Sequence, residues 1–280
     1  MKVCFQCGQA IKEQMKFCSN CGAPQNQSQE SPVEKIIFNR TDDIDIQFTE
    51  QFFLALKIRI QEEHEAEAYQ AYSERVYESG FRDTLSRKAM GIEEQIQVAL
   101  KVGQLDLRTI NQAAVLLLED LLDFFIIRFC PDLNKNALPE TILKHPYSGQ
   151  KTQDLKTITF DYLDLNNEKE RIYFDLLKMP VEKLQNAGKS FLFPAKEEKI
   201  WFICDTTVFG NAKEGFAMTD HAIYWKMPYE KARKAPYQMI NALTRKKSWL
   251  TINDFYFNIN PGFNLKMFKL LKKLNTLPSL

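Results

Sequence analysis

The chain has 280 residues, 45% of them hydrophobic and 26% charged, with a formal net charge of +1. That length admits roughly two domains, and the composition is that of an ordinary globular chain and not of a disordered or collagen-like one. A net charge so close to zero excludes a whole-chain field that draws in nucleic acid or membrane. The charge is uneven all the same. Between Lys226 and Lys273 eleven Lys and Arg face only Glu230 and Asp254, an excess of nine positive charges, which leaves an excess of eight negative charges on the remainder.

The N-terminal residues carry two cysteine pairs, Cys4-Phe-Gln-Cys7-Gly8 and Cys18-Ser-Asn-Cys21-Gly22, separated by ten residues. Each C-x-x-C-G aims two thiolates at one point, and the glycine lets the backbone turn beneath the sulfurs with positive φ. Four thiolates complete a tetrahedron around zinc at about 2.3 Å. With all four positions filled by the protein, the expected ion is structural and activates no water. Residues 1–24 offer only Val3, Phe5, Ile11, Met15 and Phe17 as a core. So little apolar surface cannot offset the entropy of ordering the chain, so metal binding and folding are expected to be one event. A pair of disulfides, or an iron–sulfur or redox centre, are the alternatives. The pattern Cys4 to Gly22, with Phe17 before the second pair, resembles the short bacterial zinc-ribbon family. That resemblance implies a metal and a small hairpin, and no activity. Lys2, Lys12 and Lys16 against Glu13 make a weak basic surface, so contact with protein is expected of this module.

Residues 25–40 read as a flexible linker, most plainly the polar run Gln25 to Pro32. Residues 41–189 read as a helical region. Gln51 to Glu78 lacks Gly and Pro and is rich in good helix formers. Thr49 is the expected cap, and Phe52, Phe53, Leu56 and Ile60 form a stripe for packing. Gly80 and Gly91 interrupt the next segment, and Ile92, Ile96, Ala99 and Leu100 resume helical spacing. Leu107 to Phe129 reads as an apolar helix stopped by Pro131. The most apolar stretch, Ala113 to Phe129, carries Glu119, Asp120, Asp123 and Arg128, which argues for a buried helix and against a membrane span. Residues 132–167 show breaks and no clear element, and Glu168 to Ala187 reads as a helix interrupted near Pro180.

From about residue 190 to the end the pattern changes to short strands: Ile200–Cys204, Gly215–Thr219 and Ala222–Lys226 around an Asp220-His221 turn, then Tyr237–Ile240, Ala242–Lys247, Trp249–Ile252 and Phe255–Ile259. A final helix is expected, capped by Asn260 with Pro261 at its first position. Its apolar face holds Phe263, Met267, Leu270, Leu271 and Leu274, with Lys266, Lys269, Lys272 and Lys273 on the other. The strand ending in Asp205-Thr206, the hairpin Gly215-Phe-Ala-Met-Thr219 to Ile223-Tyr224-Trp225, and Tyr237-Gln-Met-Ile240 resemble, in that order, bacterial PH-like domains. The resemblance implies a curved β-sheet or barrel capped by one helix, a binding scaffold without catalytic residues.

The fold class expected is therefore multi-domain α+β. Two basic clusters stand out as partner-binding candidates: Lys231, Arg233 and Lys234, placed in a loop, and Arg245, Lys246 and Lys247, placed near a strand end. A solvated surface that balances the acidic helical region is the plainer explanation. Little else suggests chemistry. His64 lies among glutamates but not in H-E-x-x-H spacing, and His221 sits in a turn. Gly149-Gln-Lys151-Thr152 lacks the first glycine of a phosphate loop, and isolated Cys130 and Cys204 read as buried packing residues. The reading is a cytoplasmic, non-enzymatic zinc-binding adaptor that contacts protein. The alternatives are a nucleic-acid-binding protein that uses the ribbon and the basic segment, and an enzyme with its site in the helical region.

Overall fold

The structure, a computed structural model, describes residues 2–3, 10–11, 43–102, 106–149 and 154–277. Cys4, Cys7, Cys18, Cys21, the linker and Gln150–Lys151–Thr152 lie outside the described residues. Near the N-terminus β1 (Lys2–Val3) pairs antiparallel with β2 (Ala10–Ile11), Val3 opposite Ala10. The chain divides into two compact units, one of residues 30–153 and one that joins residues 1–29 with 154–280. The architecture is mixed helix and antiparallel sheet. No helix among the described residues is long and apolar enough to cross a membrane.

The first unit is helical. α1 (Ile44–Glu63) is capped by Asp43, whose carboxylate accepts from the backbone N–H groups of Asp45 at 2.8 Å and Ile46 at 3.4 Å. Thr49, the cap expected from sequence, lies buried inside the helix. The apolar row begins earlier, with Ile44, Phe48, Phe52, Leu56 and Ile60 repeating every fourth residue, all of them buried. The stretch Gln51–Glu78 is not one helix. It breaks at His64 and resumes, through a short 3₁₀ turn at Ala66–Ala68, as α2 (Tyr69–Glu78). The break lets buried Tyr72 donate its hydroxyl to Asn134 at 2.7 Å and pack against the His64 ring. Such a tertiary preference leaves no Gly or Pro behind as a signal. α3 (Phe81–Lys101) starts after Gly80 and runs through Gly91 without interruption, and α4 (Leu107–Phe129) follows. Phe52, Phe81 and Phe125 meet at the centre with ring centroids 4.9–5.9 Å apart. Burial of each such ring stabilises by about 1.5–3 kcal/mol. Arg75 donates to the Phe129 carbonyl at 2.6 Å and forks onto Asp132, which satisfies an orphan acceptor at the C-terminus of α4.

The main segment of the second unit begins at Asp154, so the boundary expected at 189/190 falls inside it. α5 (Leu155–Leu163) packs against the last helix, and the next segment is a strand where a helix was expected. β3 (Arg171–Tyr173) pairs with β4 (Ile200–Asp205), and only α6 (Val181–Ser190) is helical. β3 supplies an edge to a five-stranded antiparallel sheet ordered β3-β4-β5-β6-β7, with β5 (Gly215–Thr219), β6 (Ala222–Lys226) and β7 (Arg233–Pro236). β7 displaces the strand expected at Tyr237–Ile240, where Tyr237–Met239 instead makes a 3₁₀ turn. Tyr237 belongs to that turn because its buried hydroxyl donates to the carbonyls of Thr219 and Ala222. β8 (Leu243–Lys246), β9 (Trp249–Ile252) and β10 (Phe255–Phe257) form a second sheet, ordered β10-β9-β8. α7 (Pro261–Thr276) closes the chain with Asn260 as cap and Pro261 at its first position.

Both faces of the five-stranded sheet are covered. On one, Ile203, Ala217, Ala222 and Tyr224 pack with Ala187, Phe191, Leu192 and Met179 from α6 and its flanks. On the other, Phe202 and Phe216 meet Phe160 of α5, Phe257 of β10 and Phe263 of α7, with centroids 5.4–6.0 Å apart. α7 does not present the expected lysine face. Lys269 and Lys273 are buried, and Lys266 pairs with Glu168 at 2.7 Å.

Gly215 is forced by this sheet. At its φ of 142° an added Cβ would lie 2.0 Å from the Cys204 carbonyl oxygen on β4. Gly215→Ala is expected to destabilise the second unit by about 3 kcal/mol. Urea unfolding followed by tryptophan fluorescence reads this unit alone, since all three tryptophans (Trp201, Trp225, Trp249) lie in it. Gly91→Ala, in α3 with nothing within 4 Å of the new Cβ, is expected instead to stabilise the helical unit by about 0.5–1 kcal/mol, seen by far-UV circular dichroism.

Candidate functional site

The six basic residues singled out from sequence have different fates. Arg233 and Lys234 lie on β7, not in a loop. Arg233 stacks on the Phe255 ring at 3.6 Å, and Lys234 pairs with Glu198 at 2.7 Å while lying over the Tyr224 ring. Arg245 and Lys246 lie on β8. Lys246 is opposite Trp249 in the β8–β9 register and 5.4 Å from its ring, and Lys247 turns the chain into β9 with φ of 49°. Lys231 is exposed in the loop before β7. His64 packs against Tyr72, His221 sits in the β5–β6 turn beside Asp220 at 2.8 Å, and Cys130 and Cys204 are buried. Burial pushes the Cys130 thiol up to about 12 and raises that of Cys204 too, so neither is a ready nucleophile.

Glu198 explains why Lys234 is held. The carboxylate is nearly buried and accepts from the Tyr224 hydroxyl at 2.8 Å, the Lys234 ammonium at 2.7 Å, the Thr219 hydroxyl at 3.0 Å and the Ala195 N–H at 3.3 Å. Burial raises its pKa, but the bonds from Lys234, Tyr224, Ala195 and Thr219 outweigh this and leave it lowered.

A surface that sequence reasoning missed lies at one end of the five-stranded sheet. Arg171, Asp205, Gly215 and Lys226 form a row of register partners across β3 to β6, and Arg233 of β7 pairs next to it, with Trp225. The β4–β5 loop (206–214) and the β6–β7 loop (227–232) therefore leave the sheet at the same end. The first exposes Val208 at 83% and Phe209 at 91%, and the second exposes Tyr229 fully. The β4–β5 loop is braced. Asp205 accepts from the Thr207 N–H at 2.9 Å and from its hydroxyl, and Arg171 donates to the carbonyls of Thr207 and Val208 at 3.0 and 3.4 Å. Asn186 and Ser190 of α6 donate to the carbonyls of Asn211 and Lys213. Gly210, with φ of 67°, leaves room for the Arg171 guanidinium, which a Cβ would meet at 2.7 Å. Exposed apolar side chains on a braced loop keep their surface in water at a free-energy cost that partner contact recovers.

The helical unit has a cleft of about 310 Å³ lined on α4 by Leu117, Asp120, Leu121, Asp123 and Phe124 and on its far side by His145 and Ser148. Beside it, buried Arg59 pairs with Glu63 at 3.2 Å, with Asp123 at 2.8 Å and with Glu119. Asp120 accepts from the N–H groups of Tyr147 and Ser148, which fixes the cleft wall. His64 and its glutamates do not line it. Among the described residues no group of three or more His, Cys, Asp or Glu could hold a metal ion.

No family model, curated protein or solved structure matches the chain.

The Glu198 cluster predicts a specific acid response. Because its pKa lies below the ordinary 4.5, its contribution is fully present above that value and is lost as pH falls below it. Glu198→Gln is expected to be less stable than wild type by about 1–3 kcal/mol at pH 7 and to show a shallower loss below pH 4.5. Tryptophan-detected urea melts from pH 7 to about pH 3 read both effects.

Proposed function

We propose that the chain is a non-enzymatic, cytoplasmic adaptor that docks another protein on the loop end of its second unit and carries a zinc ribbon as a separate contact module. The observation that carries this reading is the exposed Val208, Phe209 and Tyr229 on two loops at one sheet end, the first of them braced. The order and pairing of β4 to β10 followed by α7 support a PH-like scaffold for those loops. The ribbon reading has Cys4, Cys7, Cys18 and Cys21 hold one zinc ion. Antiparallel pairing of Lys2–Val3 with Ala10–Ile11, on either side of the first cysteine pair, supports it. Firm engagement of Arg233 and Lys234 inside the unit removes two cations from any phosphate-binding surface, which weighs against the nucleic-acid alternative.

Affinity purification of the full chain from its native cell tests the reading, with wild type beside Phe209→Asp, Tyr229→Asp and Cys18→Ser. Wild type is expected to retain a protein partner and one zinc per chain by elemental analysis. Both aspartate variants are expected to lose the partner with tryptophan fluorescence unchanged, and Cys18→Ser to lose the metal. Equal recovery by the aspartate variants, or substrate turnover by purified protein that captures nothing, would overturn it.

A further inference from the structure

The apolar tip is set in a basic collar, and the two together specify the chemistry of what docks there. Within 206–214 and 226–234, Lys213, Lys226, Lys231, Arg233 and Lys234 face only two acidic residues, Glu214 and Glu230. Three of the five cations are occupied inside the unit. Lys234 is on Glu198, Arg233 is on Phe255, and Lys226 donates to the Ser190 hydroxyl at 3.1 Å. Lys213 and Lys231 are left exposed, one on each loop, four residues after Phe209 and two after Tyr229 in the chain. Within these two segments Glu230 is the one exposed acidic residue, since Glu214 is half-buried.

We infer that the loop end binds an acidic amphipathic protein segment, whose apolar anchors cover Val208, Phe209 and Tyr229 and whose carboxylates meet Lys213 and Lys231. This rests on the docking reading proposed above and adds the partner's chemistry. The apolar contacts supply most of the affinity, because each exposed ring is dehydrated on docking. The lysines supply the orientation and the encounter rate, and they disfavour basic partners. Two exposed lysines suit carboxylates spread along a helix, since the Arg171 fork at the β4–β5 loop is taken up by the Thr207 and Val208 carbonyls. A clustered phosphate would call for a tighter cationic cradle.

The test uses the full chain and defined probes in fluorescence anisotropy. One probe is a helix-forming peptide with a Leu/Phe stripe and glutamate elsewhere, and the second replaces every glutamate by glutamine. Phosphatidylserine vesicles and an oligo-dT strand are the phosphate-bearing probes. The glutamate peptide is expected to bind about tenfold more tightly than the glutamine peptide, and to weaken about tenfold between about 50 and about 300 mM salt. Phe209→Asp is expected to abolish binding, and Lys213→Glu/Lys231→Glu to remove the preference for glutamate while tryptophan fluorescence stays unchanged. Equal binding of the two peptides, no binding of either, or retention of vesicles or DNA in place of the peptide would overturn the inference. If the peptides bind equally while Phe209→Asp still loses the cellular partner, the inference fails and the docking reading stands. If Phe209→Asp captures the cellular partner as well as wild type, the docking reading itself fails.

Discussion

Coverage of both faces of the five-stranded sheet is the constraint from which the rest of the second unit follows. α6 seals one face through Ala187 and Phe191, while α5, β10 and α7 seal the other through Phe160, Phe257 and Phe263. A sheet closed in this way has no free face for a ligand, which leaves its loops and edges as the surface open to contact. The same coverage makes the loops good anchors. Their stems are fixed by buried strands, and Asp205 and Arg171 hold the β4–β5 loop from below. Phe209 thus stands in water on a support that does not collapse around it.

Electrostatics inside both units are spent on architecture. Glu198 gathers Tyr224, Thr219 and Lys234 at the β5–β6 end of the sheet, away from the exposed loops. In the helical unit Arg59 serves three carboxylates at once, and burial of such a knot makes each member costly to remove singly. Formal charge counted along the sequence therefore overstates what a partner can feel. The C-terminal excess of nine positive charges includes buried Lys269 and Lys273, paired Lys266 and Lys234, and stacked Arg233.

Much of the fold was legible where local chemistry and tertiary packing agree. The strands at Ile200, Gly215, Ala222 and Trp249 showed as apolar runs bounded by turn residues, and Asn260-Pro261 announced α7. Where packing overrides propensity the sequence misled. β3 is only three residues long and polar at its start, so it reads as helix until β4 pairs with it. β7 carries Arg233 and Lys234, which look like loop residues, and becomes a strand because Trp225 and Tyr224 lie opposite them. The helix break at His64 answers to Tyr72 and Asn134, which no local pattern records. The exposed loops were missed for a different reason. Val208-Phe209 reads as core by hydropathy, whereas the pair stands exposed on its loop. A useful signal was present in Asp205-Thr-Thr207 followed by Gly210, an Asx-type turn and a positive-φ glycine on either side of two apolar residues.

The central claim is that the loop end of the second unit receives the partner. Amide hydrogen exchange on the full chain, free and in complex with the captured protein, tests it most directly. The account predicts new protection at 206–210 and 227–231, with the core strands β4 to β6 unchanged. Protection confined to the helical unit, or absent from both loops, would contradict it.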